Sequence, residues 1–291
     1  MSESMDELKK ELPHVIVLCL LIIVLLVIVT KFKMVHCSQI PQWCAIYCQI
    51  MGRSRVALVS GDAGIGDPNQ LGKLVQELRF YTLVEPFPAS EMSYGLLKDY
   101  EVVVLEHFRN ITVGQTSALK AYLSGGGTVL WIGDAASNLY LSEEDKAEAK
   151  LVNETWASEN KTAAGGLSYY EALEKKVENT KGFGDLSNYL MAAYVENKAP
   201  AEPFVLKIVD KDHLISKGLK TEFSNQPAEF AAVNERPASV TKIAVIRTGG
   251  KEYPAIFESS YVGKIIYVAF PLEIANSSAL ITNIMDYLVT C

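Results

Sequence analysis

Four side chains in this 291-residue sequence could do acid–base or metal chemistry together: Asp62, Glu106, His107 and Asp134. Each follows an apolar run that reads as a strand: V-A-L-V-S before Asp62, V-V-V-L before Glu106 and His107, and T-V-L-W-I before Asp134. In open parallel sheets, ligands bind beyond the carboxyl ends of the strands. A Glu, a His and two Asp gathered there could hold a divalent cation or act as acid and base. The same residues could equally do no more than cap strands and helices. Convergence on one open pocket would favour chemistry, whereas scattered or buried side chains would leave a binding role.

Two further patterns invite a chemical reading. The loop Gly61–Pro68 orders its glycines G-x-x-G-x-G, and no Lys-Ser/Thr follows, so neither phosphate-cradling pattern is met. Asp62 and Asp67 would repel a phosphate placed there, which leaves a structural turn. Cys44 and Cys48 stand one helical turn apart near Cys37, a spacing that a metal could bridge, but only His36 is at hand and no companion pair completes a tetrahedral set. Free, acylated and disulfide-linked thiols all remain open for the three. No metal and no cofactor is expected. His213, in D-H-L-I-S-K-G-L, reads as a turn residue.

The elements that must position these groups centre on Asp99–Asp134. Glu101–Leu105 is β-branched without a polar break, as in a strand buried on both faces. Thr112 is placed to cap a helix with Val113, Leu119, Tyr122 and Leu123 at helical spacing, and Gly125-Gly126-Gly127 ends it. Thr128–Ile132 is a second strand. Strand, helix and strand in so short a span make a right-handed βαβ unit. Before it come a strand at Val56–Ser60, a helix at Asn69–Phe80 opened by Asp67-Pro68, a strand at Thr82–Phe87 and a helix at Tyr94–Tyr100. After it, residues 141–203 read as a helical insertion over the sheet, with an acidic helix after Ser142 and further helices at Tyr169–Val177 and Leu186–Tyr194. Strands follow at Phe204–Val209, Lys242–Arg247, Pro254–Glu258 and Lys264–Phe270, the last two as a hairpin. Ser277–Leu288 closes the chain as a helix with Leu280, Ile281, Ile284 and Leu288 inward. The fold class expected is α/β: a three-layer, doubly wound, mostly parallel sheet preceded by one transmembrane helix.

Composition bounds the function. Hydrophobic residues at 49% with 21% charge permit a sizeable core, and a net charge of -7 with a pI near 5.3 argues against nucleic acid as a partner. Val15–Val29 is apolar throughout, about 22 Å as a helix against a hydrocarbon core of about 30 Å. Flanking apolar residues extend the span to about Leu12–Val35, Lys31 and Lys33 can snorkel, and no small-x-small cleavage site follows. The organisation expected is a polar tail over residues 1–14, an uncleaved anchor over 12–35, a neck over 36–54 and one α/β domain over 55–291. Ile40, Trp43 and Tyr47 suit a juxtamembrane helix at the lipid interface, or one docked on the domain.

The soluble part resembles the class I glutamine amidotransferase-like superfamily in its non-catalytic branches. Three stretches carry the likeness: Val56–Asp67; Tyr100–Leu105 with Ala121–Leu130; and Asp212–Leu219 with Tyr253–Ile256, Gly263–Phe270 and Asn283–Leu288. Similar arrangements occur in trehalose-utilisation-type proteins, in gliding-motility transporter auxiliaries and in the non-catalytic subunit of oligosaccharyltransferase. Active members present a cysteine on a strand-to-helix elbow. Here no cysteine lies between Cys48 and the terminal Cys291, and neither Ser60 nor Ser137 sits in a G-x-S-x-G frame, so glutaminase chemistry is not expected. The resemblance implies a non-catalytic binding or scaffolding subunit of an envelope-associated complex, with the membrane and other membrane or envelope proteins as partners. The competing expectation is a hydrolase or metal-dependent sugar-modifying enzyme built on the Asp/Glu/His cluster.

Orientation is nearly balanced. Lys9, Lys10 and the amino terminus oppose Lys31 and Lys33, while Arg53 and Arg55 lie farther off, where the positive-inside rule weakens. Asn110, Asn153, Asn160 and Asn276 each open an N-x-S/T glycosylation acceptor. With the extracytoplasmic placement that the resemblance implies, they favour a domain outside the cytoplasm.

Overall fold

The computed structural model describes residues 3–31, 35, 40, 42–79, 82–159, 161–163, 166–226, 228–259 and 262–290. Two helices come first: α1 (Glu3–Lys31), whose segment Pro13–Lys31 is long and apolar enough to cross a membrane, and the short α2 (Trp43–Met51). The domain opens with β1 (Ser54–Ser60), α3 (Pro68–Leu78), β2 (Thr82–Pro88), α4 (Tyr94–Leu97) and β3 (Val102–Leu105). It continues with β4 (Asn110–Thr112), α5 (Val113–Ser124), β5 (Thr128–Ile132) and β6 (Asn138–Tyr140). The insertion supplies α6 (Glu143–Ser158), α7 (Tyr169–Asn179), α8 (Ser187–Leu190) and β7 (Ala192–Lys198). The chain ends with β8 (Val205–Ile208), β9 (Glu222–Ser224), β10 (Phe230–Glu235), β11 (Val240–Thr248), β12 (Lys251–Ser259), β13 (Lys264–Val268) and α9 (Ser278–Leu288).

Nine strands form the main sheet in the order β2-β1-β3-β5-β13-β12-β11-β8-β9. The first five are parallel neighbours. Beyond β13 each pairing is antiparallel, so β12 and β8 oppose the rest while β11 and β9 point with the first five. Seven of nine strands therefore run one way. The β-branched runs of β3 and β5 are buried along their whole length, as central strands covered on both faces require. Helices α3 and α9 touch on one face, and α4 packs with α5 on the other. Chain direction along the sheet reverses at β1: β1 leads to β2 on one side, and β3 and β5 follow on the other. The crevice between the carboxyl ends of β1 and β3 is the topological switch point.

Local chemistry explains the boundaries. The Asp67 side chain accepts from the amides of Asn69 and Gln70 ahead of Pro68, and Thr112 and Gln115 form a reciprocal capping box at α5. The inward face of α9 carries Leu280, Ile281, Ile284 and Leu288, all buried.

Two expected elements differ. Leu186–Tyr194 is not one helix: α8 ends at Leu190, Met191 turns left-handed, and Ala192 begins β7. β7 pairs antiparallel with β10, a partner far along the sequence that helical spacing cannot reveal. In the neck, Trp43 and Tyr47 turn inward, 4% exposed each, packed with Leu26 and Val27 of α1. The indole N–H of Trp43 donates to Thr30 Oγ1 at 2.9 Å. Cys44 and Cys48 are both disulfide-bonded, and Cys19 is a free thiol. Cys37 and His36 lie outside the described residues.

Candidate functional site

The loop after β1 folds back onto the segment after β3 and continues the parallel pairing past the sheet. Gly61 N–H donates to the His107 carbonyl at 2.9 Å, His107 N–H to Ile65 at 3.2 Å and Arg109 N–H to Ala63 at 2.7 Å. This contact sets the glycine pattern. A Cβ on Gly64 would stand 2.9 Å from the Phe108 amide nitrogen, and one on Gly66 would stand 2.7 Å from Glu106 Oε1. Both have positive φ, so only glycine fits. The loop cradles protein, as a structural turn should.

The four candidate residues have separate fates. Asp134 is wholly buried at the end of β5 and accepts from Ile65 N–H at 3.0 Å, from Asn197 Nδ2 at 2.9 Å and from the Arg109 guanidinium. It ties the β1 loop, the β3 loop and β7 together. Glu106 is also wholly buried, and neither carboxyl oxygen has a hydrogen-bond partner among the described residues. Burial, then the charge of Glu273, push it up to about 10, so it is a neutral acid at ordinary pH. His107 is left-handed at φ 50°, half-buried, and its Nδ1 lacks a partner among the described residues. Asp62 alone opens to solvent on a cleft, where it accepts from Asn110 Nδ2 at 3.2 Å. The structure thus does not bring the four onto one pocket, and no group of three His, Cys, Asp or Glu among the described residues could hold a metal ion.

That cleft, about 890 Å³, lies beside the switch point, between the ends of β1 and β2, the segment of β4 that leads into α5, and the start of α6. Its walls carry Asp62, Glu144, Asp145 and Glu148 with Asn110, Gln115, Ser142 and Tyr140, and Phe87 supplies an apolar face; no basic side chain among the described residues lines it. Asp145 has a specific task. Its carboxylate accepts from the amides of Val113 at 3.1 Å and Gly114 at 2.9 Å, the first turn of α5, while also closing the capping box with Ser142. The N-terminus of α5 would otherwise be the anion-binding end of the crevice. With Asp145 on α5 and Asp67 on α3, the two helix ends nearest the switch point already hold carboxylates.

Sequence reasoning missed Asp145, Arg109, Asn197 and Glu273. The Ser142-x-x-Asp145 spacing signals a cap for α6, but its reach to α5 is a tertiary contact. Asn197 lies on the unforeseen β7. Of the glycosylation candidates, Asn276 is exposed; Asn153 is half-buried and accepts from Tyr169 N–H at 3.0 Å; Asn110 is held in the cleft by Asp62 and Asn138. Asn160 lies outside the described residues.

No protein-family model matches the sequence, and no curated protein matches it either. Solved structures do share its fold. A ThuA-like protein from Bacteroides uniformis superposes with a TM-score of 0.56 at 14% identity, over 81% of this chain and 92% of that one. A cytoplasmic protein from Salmonella typhimurium LT2 gives 0.52 at 11% identity, over 80% and 99%. The β-galactosidase of Bacillus circulans sp. alkalophilus gives 0.52 at 14% identity, over 81% of this chain but 30% of the enzyme. At these identities the likeness is one of fold.

Proposed function

We propose that this chain is a membrane-tethered binding subunit of an envelope-associated assembly, with its α/β domain outside the cytoplasm. The observation that carries the binding reading is Asp145 seated on the α5 amides: the crevice where this fold class takes ligands is closed to phosphates and other anions by the chain itself. What remains is an acidic, solvent-open cleft suited to a cationic group of a partner. Glu106 and Asp134 are buried away from this cleft, which supports binding over catalysis.

Two features support the tether and the compartment. The side chains of α1 from Val15 to Leu25 stand exposed around the helix, as lipid-facing residues would. Disulfides at Cys44 and Cys48 favour an oxidising compartment over a reducing one.

The test is co-purification from native membranes with the wild-type chain and with a variant carrying Asp62→Lys and Glu148→Lys. The reading expects partners that the wild type retains and the charge-reversed variant loses, at equal recovery of folded protein. Identical partner sets for both chains would remove the cleft from the binding account.

A further inference from the structure

The neck helix α2 has two apolar sides, and only one is covered by the described residues. Trp43, Tyr47 and Cys48 are buried against α1, yet Ile46, Ile50 and Met51 are 48%, 60% and 44% exposed. From Cys37 to Gly52 the sequence carries no Asp, Glu, Lys or Arg. A water-facing helix surface ordinarily carries charge.

The contacts fix where α2 stands along α1. Leu26 and Val27 pack against the Trp43–Tyr47–Cys48 cluster, and Thr30 is fully buried under the Trp43 indole. The last turns of α1 are thus covered by α2, with Ile28 still exposed among them. Whatever medium surrounds that end of α1 also meets the outer side of α2. The indole N–H of Trp43 finds its acceptor in the Thr30 hydroxyl, as a polar group in hydrocarbon must. Packed beside the last turns of α1, α2 widens the apolar surface at that end of the span.

We infer that α2 is embedded in the lipid beside the end of α1, with Ile46 and Ile50 facing acyl chains. This rests on the reading of α1 as a membrane anchor. It makes the neck a two-helix foot. Ser54 of β1 lies just beyond the foot, and Ser54 and Thr290 both hydrogen-bond Glu101 at the amino-terminal edge of the sheet. The cleft, at the opposite ends of the strands, then faces away from the membrane.

The test places the photo-crosslinking residue p-benzoylphenylalanine, in separate full-length chains, at Leu20, Ile46, Ile50 and the exposed Lys73. Each chain is reconstituted in phosphatidylcholine vesicles, irradiated and analysed for lipid adducts by mass. The inference expects adducts at Ile46 or Ile50 in yield like that at Leu20, and background at Lys73. Adducts at Leu20 with background at both α2 positions would overturn it and leave the anchor standing. Background at Leu20 as well would overturn the anchor and this inference with it.

Discussion

The Asp134 carboxylate accepts the Ile65 amide hydrogen at 3.0 Å, joining the end of β5 to the loop after β1 across 69 positions of sequence. The same buried carboxylate takes Asn197 Nδ2 and the Arg109 guanidinium. A residue at a strand end, where chemistry is often found, here serves as a tie among three segments.

Removing that tie should cost stability. Asp134→Ala leaves the buried Ile65 amide without its acceptor, at about 1–3 kcal/mol, and takes a hydrogen bond from the half-buried Asn197 side chain, at about 1 kcal/mol more. Denaturant unfolding of the full chain in detergent should show a loss of about 2–4 kcal/mol. A midpoint unchanged from wild type would mean that the tie is dispensable.

Glu106 makes a pH prediction. In the unfolded chain its carboxyl titrates near its ordinary value of 4.5, whereas in the fold it holds its proton to about 10. The native state therefore binds the extra proton between those values. Glu106's contribution to stability is complete below the unfolded value and falls as pH rises through the window, at about 1.4 kcal/mol per unit. Glu106→Gln keeps the shape and removes that slope. It should be more stable than wild type at pH 7, by about 3 kcal/mol from the same arithmetic. Parallel pH–stability curves for the two proteins would contradict the buried neutral acid.

Gly64 tests why the loop is rich in glycine. At φ 135° an alanine is strained, and its Cβ would meet the backbone of His107 and Phe108, which cannot swing aside. Gly64→Ala should destabilise by about 1–3 kcal/mol. Gly126→Ala, with open space around it and φ 85°, should cost less. Equal losses at the two positions would assign the effect to φ alone.

The parallel half of the fold was legible because its signals are local. The runs V-V-V-L and T-V-L-W-I, the cap at Thr112 and the Asp67-Pro68 start each state their structure within a few residues, and β3 and β5 pair as the βαβ unit requires. β7 escaped because Ala192–Lys198 is a strand only by virtue of β10. The inward turn of Trp43 escaped for a like reason: an aromatic on an apolar helix suits lipid or protein equally, and its hydrogen bond to Thr30 decides. At the candidate site the sequence supplied the strand-end residues but not their exposure. Whether a carboxylate such as Asp134 faces a cleft or a backbone amide depends on the loop laid over it.

The claim that the α/β domain is tethered outside the cytoplasm is tested most directly by protease added to intact cells. The domain should be digested there, leaving an α1-containing fragment in the membrane. Full protection in intact cells, with digestion only after lysis, would place the domain inside and contradict it.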